Sequence, residues 1–218
     1  MEQKMAIKLH PKHSGRKIVT RSKTTYKSLS KSSKTGYVQQ HESRVQHKWS
    51  LVFDWDDEVL KHYEEPEGFE FEYEGEPSAY FPDFMLYMKN GEIDYIEIKP
   101  KRQLMKPLVQ ERLKVIGDYI QCLGFGFRVL TEQDLPFGQI GLSNLRRLKW
   151  IKLDHKKTKV ELQKYLPCGD TTFANLTEEV GSQKLVMALM AEKYLNFDIS
   201  APICNTTVLT VNKEKIYV

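Results

Sequence analysis

Apolar residues between positions 38 and 53 recur at the spacing of a helix. Successive members are four, three and one positions apart, so one helical face carries Val45, Trp49, Val52 and Phe53. An acidic turn at residues 54–58 follows directly. The pattern therefore predicts a helix within residues 38–53 that ends before Asp54.

The central part of the chain changes to strand periodicity. Residues 69–74 read Phe-Glu-Phe-Glu-Tyr-Glu, a strict period of two that predicts a strand with its aromatic side chains inward. Two apolar runs within residues 80–99 surround an Asn-Gly pair, which is a strong signal for a hairpin. Helical spacing over 107–124 and an apolar run over 126–131 predict a helix and a short buried strand. This order of elements is typical of an α/β fold.

A second set of helical patterns begins beyond Asp134. Residues 142–153 read as a basic helix, and further helical stretches are 160–166, 173–180 and 183–195. Residues 197–211 read as two short strands around an Ala-Pro pair. Helices followed by a two-stranded wing predict an α+β winged-helix module. We therefore expect one domain over residues 37–140 and a winged-helix C-terminal domain over 141–218.

Composition and charge add a constraint on function. The 218 residues suffice for one or two domains with a real core, and 40% of them are hydrophobic, which excludes coiled-coil and disulfide-knot classes. Residues 1–40 contain ten basic residues and one acidic residue. Residues 54–97 contain two basic and fifteen acidic residues, and residues 98–160 contain fourteen basic and five acidic residues. A protein built only to hold DNA would not carry so acidic a middle block. A carboxylate metal site within that block would explain it.

Basic side chains concentrate in two segments that could contact phosphates. Residues 1–36 have little apolar periodicity and are predicted to form a basic flexible arm, whose candidate DNA contacts are Arg16, Lys17, Arg21 and Lys23. The second set lies beyond residue 141 and comprises Arg146, Arg147, Lys149 and Lys152. A solvated tail and an ordinary charged surface are the competing interpretations of these segments.

Cysteine and hydrophobic patterns indicate an intracellular setting. The three cysteines are an odd number without a Cys-x-x-Cys pair, which argues against a disulfide framework and a zinc ribbon. No run of 18 apolar residues occurs, and the first residues lack the apolar core of a signal peptide. We expect a cytoplasmic protein that has no membrane partner.

The predicted hairpin carries Pro-Asp followed by Glu-x-Lys. Glu97 and Lys99 are two positions apart in a strand, so both side chains point to one face. Asp83 from the neighbouring strand would complete a site for a hard cation. Two carboxylates with the carbonyl oxygen of Ile98 suit Mg²⁺, for which Mn²⁺ can substitute. Lys99 would orient an attacking water and help to neutralise charge on a phosphate.

The length of the hairpin loop decides whether this site can form. A two-residue turn pairs Asp83 with Ile98 and directs the carboxylate to the wrong face. A three-residue loop over residues 89–91, with Gly91 in the left-handed conformation, pairs Asp83 with Glu97 instead. We therefore predict the three-residue loop or a bulge of the same effect. Such short motifs also arise by chance in charged proteins, where the carboxylates only solvate a strand end.

A third catalytic group is expected from the preceding helix. Glu42 and Gln46 lie four positions apart on one predicted helical face, and either could project toward the hairpin. Of these two, only Glu42 is a carboxylate. The neighbouring His41 and His47 are interpreted as solvated helix residues rather than as ligands or bases.

Several stretches together resemble the TnsA family, the endonuclease subunit of heteromeric cut-and-paste transposons of the TnsABC type, including CRISPR-associated ones. The likeness is carried by Lys-Thr-Gly-Tyr-Val at 34–38, Leu-Val-Phe-Asp-Trp at 51–55, Val-Leu at 59–60, Pro-Asp-Phe at 82–84, Asn-Gly at 90–91, Glu-Ile-Lys-Pro at 97–100, Leu-Thr-Glu at 130–132 and Asn-Leu at 144–145. It covers residues 34–150 well and the C-terminal part loosely.

The resemblance implies a restriction-endonuclease-like PD-(D/E)xK core that cuts the 5′ ends, the non-transferred strands, of a bacterial element. Asp83 and Glu97 become metal ligands and Lys99 the catalytic lysine. A TnsB-like DDE transposase would cut and join the 3′ ends of the double-stranded DNA, and a TnsC-like AAA+ ATPase would license the assembly. The family segment often reads Glu-Ser-x-x-Glu, whereas residues 42–46 here read Glu-Ser-Arg-Val-Gln. Gln46 thus stands where some members have Glu.

Three functional hypotheses stay open on the sequence. The first is a Mg²⁺-dependent endonuclease subunit of a transposase, weak without its partners. The second is a stand-alone PD-(D/E)xK nuclease that would cut DNA alone. The third is a catalytically weak DNA-binding or scaffold subunit, which the neutral amide of Gln46 keeps open because an amide is a poorer cation ligand than a carboxylate.

Overall fold

The computed structural model describes residues 26–73, 76–153 and 159–217, and the chain divides into two compact units between Leu135 and Pro136. The predicted DNA contacts Arg16, Lys17, Arg21 and Lys23 lie outside the described residues. The elements of the first unit are, in chain order, β1 (Ser28–Lys31), β2 (Val38–His41), α1 (Arg44–Trp55), β3 (Val59–Glu64), β4 (Phe69–Tyr73), β5 (Glu76–Tyr80), β6 (Phe84–Met88), β7 (Ile93–Ile98), α2 (Lys101–Leu104), α3 (Pro107–Cys122) and β8 (Gly126–Leu130).

The centre of the first unit is a four-stranded sheet in the order β3-β6-β7-β8. β6 pairs antiparallel with both β3 and β7, and β7 pairs parallel with β8 through the crossover helix α3. Pro107 begins α3, where its missing N–H costs no helical hydrogen bond. The predicted hairpin, helix and strand over residues 80–131 are confirmed, but β8 is half-buried, with Arg128 exposed, and not buried as predicted.

The β4–β5 hairpin covers one side of this sheet. Its alternation buries Phe69 and Phe71, whereas Glu70 stays exposed, as predicted from the period of two. The buried aromatic rings join a core cluster with Tyr95 from β7 and Ile116 from α3. This cluster fixes the hairpin against the strand that carries Glu97.

The predicted helix over residues 38–53 is wrong at both ends. Residues Val38–His41 form β2, which pairs antiparallel with β1, so a strand also occupies part of the predicted arm. The helix begins only at Arg44 and continues to Trp55. Ser43 caps it in a capping box with Gln46, and this reciprocal pair of hydrogen bonds fixes the start of the helix.

Buried polar contacts attach β2 to the sheet. His41, which was interpreted as a solvated helix residue, is a buried strand residue, and its Nδ1 lies 2.6 Å from Oε1 of Glu64 on β3. Its Nε2 lies 2.7 Å from the hydroxyl of Ser30 on β1. The predicted helix was too long at this end, because residues 38–41 pair with β1 and the helical spacing begins only at Val45.

The second unit combines helices with three short strands. Its elements are α4 (Gln139–Leu148), α5 (Lys159–Gln163), β9 (Thr171–Thr172), α6 (Phe173–Val180), α7 (Gln183–Ala191), β10 (Leu195–Asn196), β11 (Val208–Val211) and α8 (Lys213–Tyr217). The strand order is β10-β11-β9, and both pairings are antiparallel.

Only part of the predicted pattern in this unit is confirmed. The helix over 173–180 matches α6, whereas the basic helix ends at Leu148 and α7 ends at Ala191. The prediction of two strands within residues 197–211 is wrong, because only Val208–Val211 is a strand there. Its partners, Leu195–Asn196 and Thr171–Thr172, both lie outside that range. The winged-helix assignment stays a prediction.

Within the described ranges, no helix has the length and apolar character needed to cross a lipid bilayer.

Candidate active site

The hairpin between β6 and β7 has the loop that the sequence predicted. Phe84 pairs with Ile96 and Tyr87 with Ile93. The Met88 N–H donates to the carbonyl of Glu92, so the three residues 89–91 form the loop. Gly91 has a φ of +89°, the left-handed conformation expected at the last loop position. The register prediction is therefore confirmed as far as the Phe84–Ile96 pair.

The backbone departs from the regular ladder at Asp83, one residue before that pair. The Asp83 N–H donates to the carbonyl of Ile96 at 3.0 Å, and its carbonyl accepts from the Glu65 N–H at 2.9 Å. The carboxylate then takes the place of a backbone acceptor, because Oδ2 accepts from the Ile98 N–H at 2.6 Å. This bond anchors Asp83 at the end of β7, where Glu97 lies.

The predicted role of Ile98 concerns its carbonyl oxygen. The structure shows a different contact of this residue: its N–H donates to Oδ2 of Asp83 and so orients that carboxylate. Coordination by the Ile98 carbonyl stays a prediction.

Glu97 is nearly buried and both of its oxygens have partners. Its side chain is 5% exposed, and Oε1 contacts the ammonium Nζ of Lys99. Oε2 accepts a hydrogen bond from the hydroxyl of Tyr80 at 2.6 Å. Lys99 is 32% exposed at its side chain, so its ammonium can reach both Glu97 and a bound substrate. The spacing of two therefore places Glu97 and Lys99 on one face, as predicted.

The electrostatics of the pair favour a bound cation. Burial raises the pKa of Asp83 to about 7, and the negative charge of Glu97 acts in the same direction. The Ile98 N–H, the charge of Lys99 and the hydrogen bond from Gln46 lower that pKa in part. The ionised form of a buried carboxylate that lies near a second negative charge is one that a divalent cation stabilises.

Gln46 is the group from α1 that reaches this site. Its Nε2 donates to Oδ1 of Asp83 at 2.6 Å, and its Oε1 accepts from the Ser43 N–H at 2.9 Å. Glu42 precedes the helix and is exposed, so the prediction that it shares a helical face with Gln46 is wrong. A catalytic role for Glu42 stays a prediction.

The donor set fits a cation that takes few protein ligands. Asp83 and Glu97 supply two carboxylates, and no group of three acidic, histidine or cysteine side chains in the described ranges is arranged to hold a metal ion. Mg²⁺ commonly binds through one or two carboxylates, with water and substrate phosphate in its other positions. The two carboxylates therefore suit Mg²⁺ or Mn²⁺ and would suit a structural zinc site poorly.

The basic residues predicted beyond residue 141 have different environments. Arg146 and Lys152 are exposed, as DNA contacts need to be. Lys149 lies over the ring of Trp150 at 5.3 Å, and Arg147 contacts the carbonyl of Ile203 at 3.4 Å. Their contacts with DNA stay predictions.

Sequence reasoning missed Tyr80 because nothing in the motif marks it. The residue lies at the end of β5, outside Pro-Asp and Glu-x-Lys, and 17 positions before Glu97. The signal that was available is its place in the strand pattern, since Tyr80 pairs with the inward-facing Phe69. An inward tyrosine needs a hydrogen-bond partner for its hydroxyl.

Residues 56–132 match the family model described as TnsA-like endonuclease N terminal. The matched stretch contains β3 to β8 with Asp83, Glu97 and Lys99, and it begins after α1 and Gln46. The match implies the restriction-endonuclease-like α/β fold expected from the sequence and confirms the resemblance drawn there. Comparison with curated proteins gave no match.

Proposed function

Because the chain carries a TnsA-like endonuclease N-terminal domain, we propose that it is the metal-dependent DNA endonuclease subunit of a transposase of that type. The observation that carries this proposal is the arrangement of Asp83, Glu97 and Lys99 where β6 begins and β7 ends. Glu97 contacts the ammonium of Lys99, and Asp83 accepts a hydrogen bond from the backbone of Ile98, the residue between them. The same groups are those that phosphodiester hydrolysis requires.

Each residue has a distinct role in the proposed reaction. Asp83 and Glu97 would hold Mg²⁺ or Mn²⁺, which when bound supplies Lewis-acid activation at the phosphate. Ile98 and Gln46 keep Asp83 in place through hydrogen bonds to its two oxygens. Lys99 places a positive charge beside the reacting phosphate, where negative charge increases in the transition state.

The DNA substrate and the partners follow from the family. We infer that the protein cuts the non-transferred strands at the 5′ ends of an element, and that a TnsB-like transposase and a TnsC-like ATPase act with it. The acidic middle of the chain supports dependence on partners, since residues 54–97 contain fifteen acids against two basic residues. Such a domain attracts DNA weakly by itself, and basic partner surfaces would supply the missing attraction.

The test is cleavage of a supercoiled donor plasmid by the full set of partner proteins with Mg²⁺. Asp83→Asn should abolish 5′-strand cutting, because the isosteric amide removes one carboxylate donor. Asp118→Asn is the control, since Asp118 is an exposed acid on α3 that pairs with Lys114. Equal 5′-strand cutting by wild type and Asp83→Asn would eliminate Asp83 as a ligand.

The same assay separates the rival functions. Cutting by the protein alone, without any partner, would support a stand-alone nuclease. Retention of DNA and partner binding by a wild-type protein that does not bind Mn²⁺ would support a scaffold subunit.

A further inference from the structure

The hydroxyl of Tyr80, at the end of β5, contacts Glu97, one of the two candidate metal ligands. Tyr80 ends β5 and is 8% exposed, and its hydroxyl donates to Oε2 of Glu97 at 2.6 Å. Its ring makes an edge contact with Phe127 on β8, with 6.1 Å between the ring centres. Backbone pairing with Phe69 fixes the strand from its other side. The position of the hydroxyl is therefore set by three elements.

Each carboxylate oxygen of Glu97 has a different donor. Lys99 contacts Oε1 and Tyr80 contacts Oε2. A carboxylate oxygen has two lone-pair positions, so each oxygen keeps one position for a further partner. The two contacts together define the plane in which the carboxylate lies.

A buried carboxylate has a preferred direction only if its surroundings impose one. Lys99 alone cannot fix the direction of the carboxylate, because its side chain is flexible and 32% exposed. The Tyr80 hydroxyl is the rigid partner, since its ring is packed in the aromatic cluster of β4, β7 and α3. Groups that orient a ligand in this way commonly change metal affinity by about 10- to 100-fold when they are removed.

We propose that Tyr80 is a positioning residue that orients the Glu97 carboxylate for a divalent cation. This inference rests on the proposed function, because it assigns Tyr80 to the same metal site. It also gives the acidic β4–β5 hairpin a role beyond covering the sheet, since this hairpin carries the hydroxyl to the site.

The experiment compares Tyr80→Phe with Tyr119→Phe by calorimetric titration with Mn²⁺. Both substitutions remove one hydroxyl from the same aromatic cluster and keep the ring. Tyr119 is the matched control because its buried hydroxyl oxygen has no hydrogen-bond partner among the described residues. Circular dichroism melts without metal establish that the three proteins are folded.

Tyr80→Phe should weaken Mn²⁺ binding by about 10- to 100-fold, and Tyr119→Phe should stay within about twofold of wild type. The Mn²⁺ concentration for half-maximal cleavage should rise by the same factor in Tyr80→Phe, with activity restored at saturating Mn²⁺. Equal affinity in Tyr80→Phe and wild type would overturn the inference and leave the proposed function intact. An equal loss in both variants would also overturn it, because packing rather than the contact with Glu97 would then be the cause. A wild-type protein that binds no Mn²⁺ would overturn both the inference and the proposed metal dependence.

Discussion

Gln46 donates a hydrogen bond from Nε2 to Oδ1 of Asp83 across 2.6 Å. The orientation of this amide is fixed at its other end, since Oε1 accepts from the Ser43 N–H in the capping box of α1. A neutral donor therefore faces Asp83, and the oxygen of the amide is directed toward the helix cap. This hydrogen bond holds the Asp83 carboxylate in place, and we infer that Gln46 is a positioning residue.

Gln46→Glu should convert this contact into a third carboxylate at the site. One oxygen of the new side chain keeps the bond to Ser43, and the other replaces the donor that faces Asp83. At a pH where both carboxylates are ionised, the two like charges at hydrogen-bond distance destabilise the metal-free protein, by roughly 1–3 kcal/mol on the scale of a buried group that loses its partner. A bound cation offsets the repulsion, so Mn²⁺ should raise the melting temperature more in the variant than in wild type.

Thermal melts with and without Mn²⁺ measure both effects. Gln121→Glu is the control, because it adds the same charge on the exposed side of α3. If Gln46→Glu and Gln121→Glu respond equally to Mn²⁺, Gln46 does not face the metal site.

Lys99→Gln should separate metal binding from catalysis. The ammonium contacts Glu97 and competes with a cation for the same carboxylate, so its removal should tighten Mn²⁺ binding by roughly two- to tenfold. Cleavage should fall by about 100-fold or more, because the variant lacks the charge that we propose stabilises the transition state. Lys89→Gln is the control, since Lys89 is exposed on the loop of the same hairpin. A variant that loses Mn²⁺ binding would show that Lys99 holds the site together instead.

Glu64→Gln tests the buried pair that attaches β2 to the sheet. Burial raises the pKa of Glu64 to about 9, with a smaller contribution from the charge of Glu42 and an opposing hydrogen bond from the Gln40 backbone. In its protonated form the carboxyl can donate to Nδ1 of His41, and the amide of glutamine can do the same.

The sign of the pH dependence follows from the raised pKa. A carboxyl whose pKa is higher in the folded state stabilises the fold fully below its unfolded pKa, and this stabilisation is lost as pH rises through the folded value. Wild type should therefore lose stability relative to Glu64→Gln between pH 6 and pH 9, by up to about 4 kcal/mol. Urea unfolding of both proteins across this range measures the difference. A difference that stays constant with pH would show that Glu64 is ionised in the fold throughout.

Gly91 should resist β-branched substitution for a conformational reason. A Cβ at this position meets no atom within 4 Å, so any cost comes from the left-handed φ of +89°. Gly91→Val should lower the free energy of unfolding by about 1–2 kcal/mol. Gly91→Asn should cost less, because asparagine tolerates this conformation. Equal costs in chemical denaturation would mean that the loop adopts another conformation in solution.

The hairpin that carries the site could be predicted because its determinants are local. Loop length, the left-handed position at Gly91 and the period of two act on neighbouring residues. Together they fix the register of β6 against β7, and Asp83 directly precedes β6. The motif spacing then places Glu97 and Lys99 on one face. Residues 56–132, for which the family match confirms the resemblance, contain all of these features.

Other parts of the site depend on contacts between distant parts of the chain. Residues 38–41 lie within the range predicted as helix, yet they form a strand because β1 offers them a partner. The helix consequently begins after Glu42, and the group that reaches Asp83 is Gln46, 37 positions away in the chain. Helical spacing alone could not show whether Glu42 or Gln46 reaches Asp83.

The sequence by itself determined the register of the hairpin and the identity of the acids and the lysine on it. Only the tertiary structure decided which other side chains hold them, namely Gln46 against Asp83 and Tyr80 against Glu97. The physical reason is that backbone periodicity depends on residues close in the chain, whereas the partner of a buried carboxylate depends on how separate elements pack.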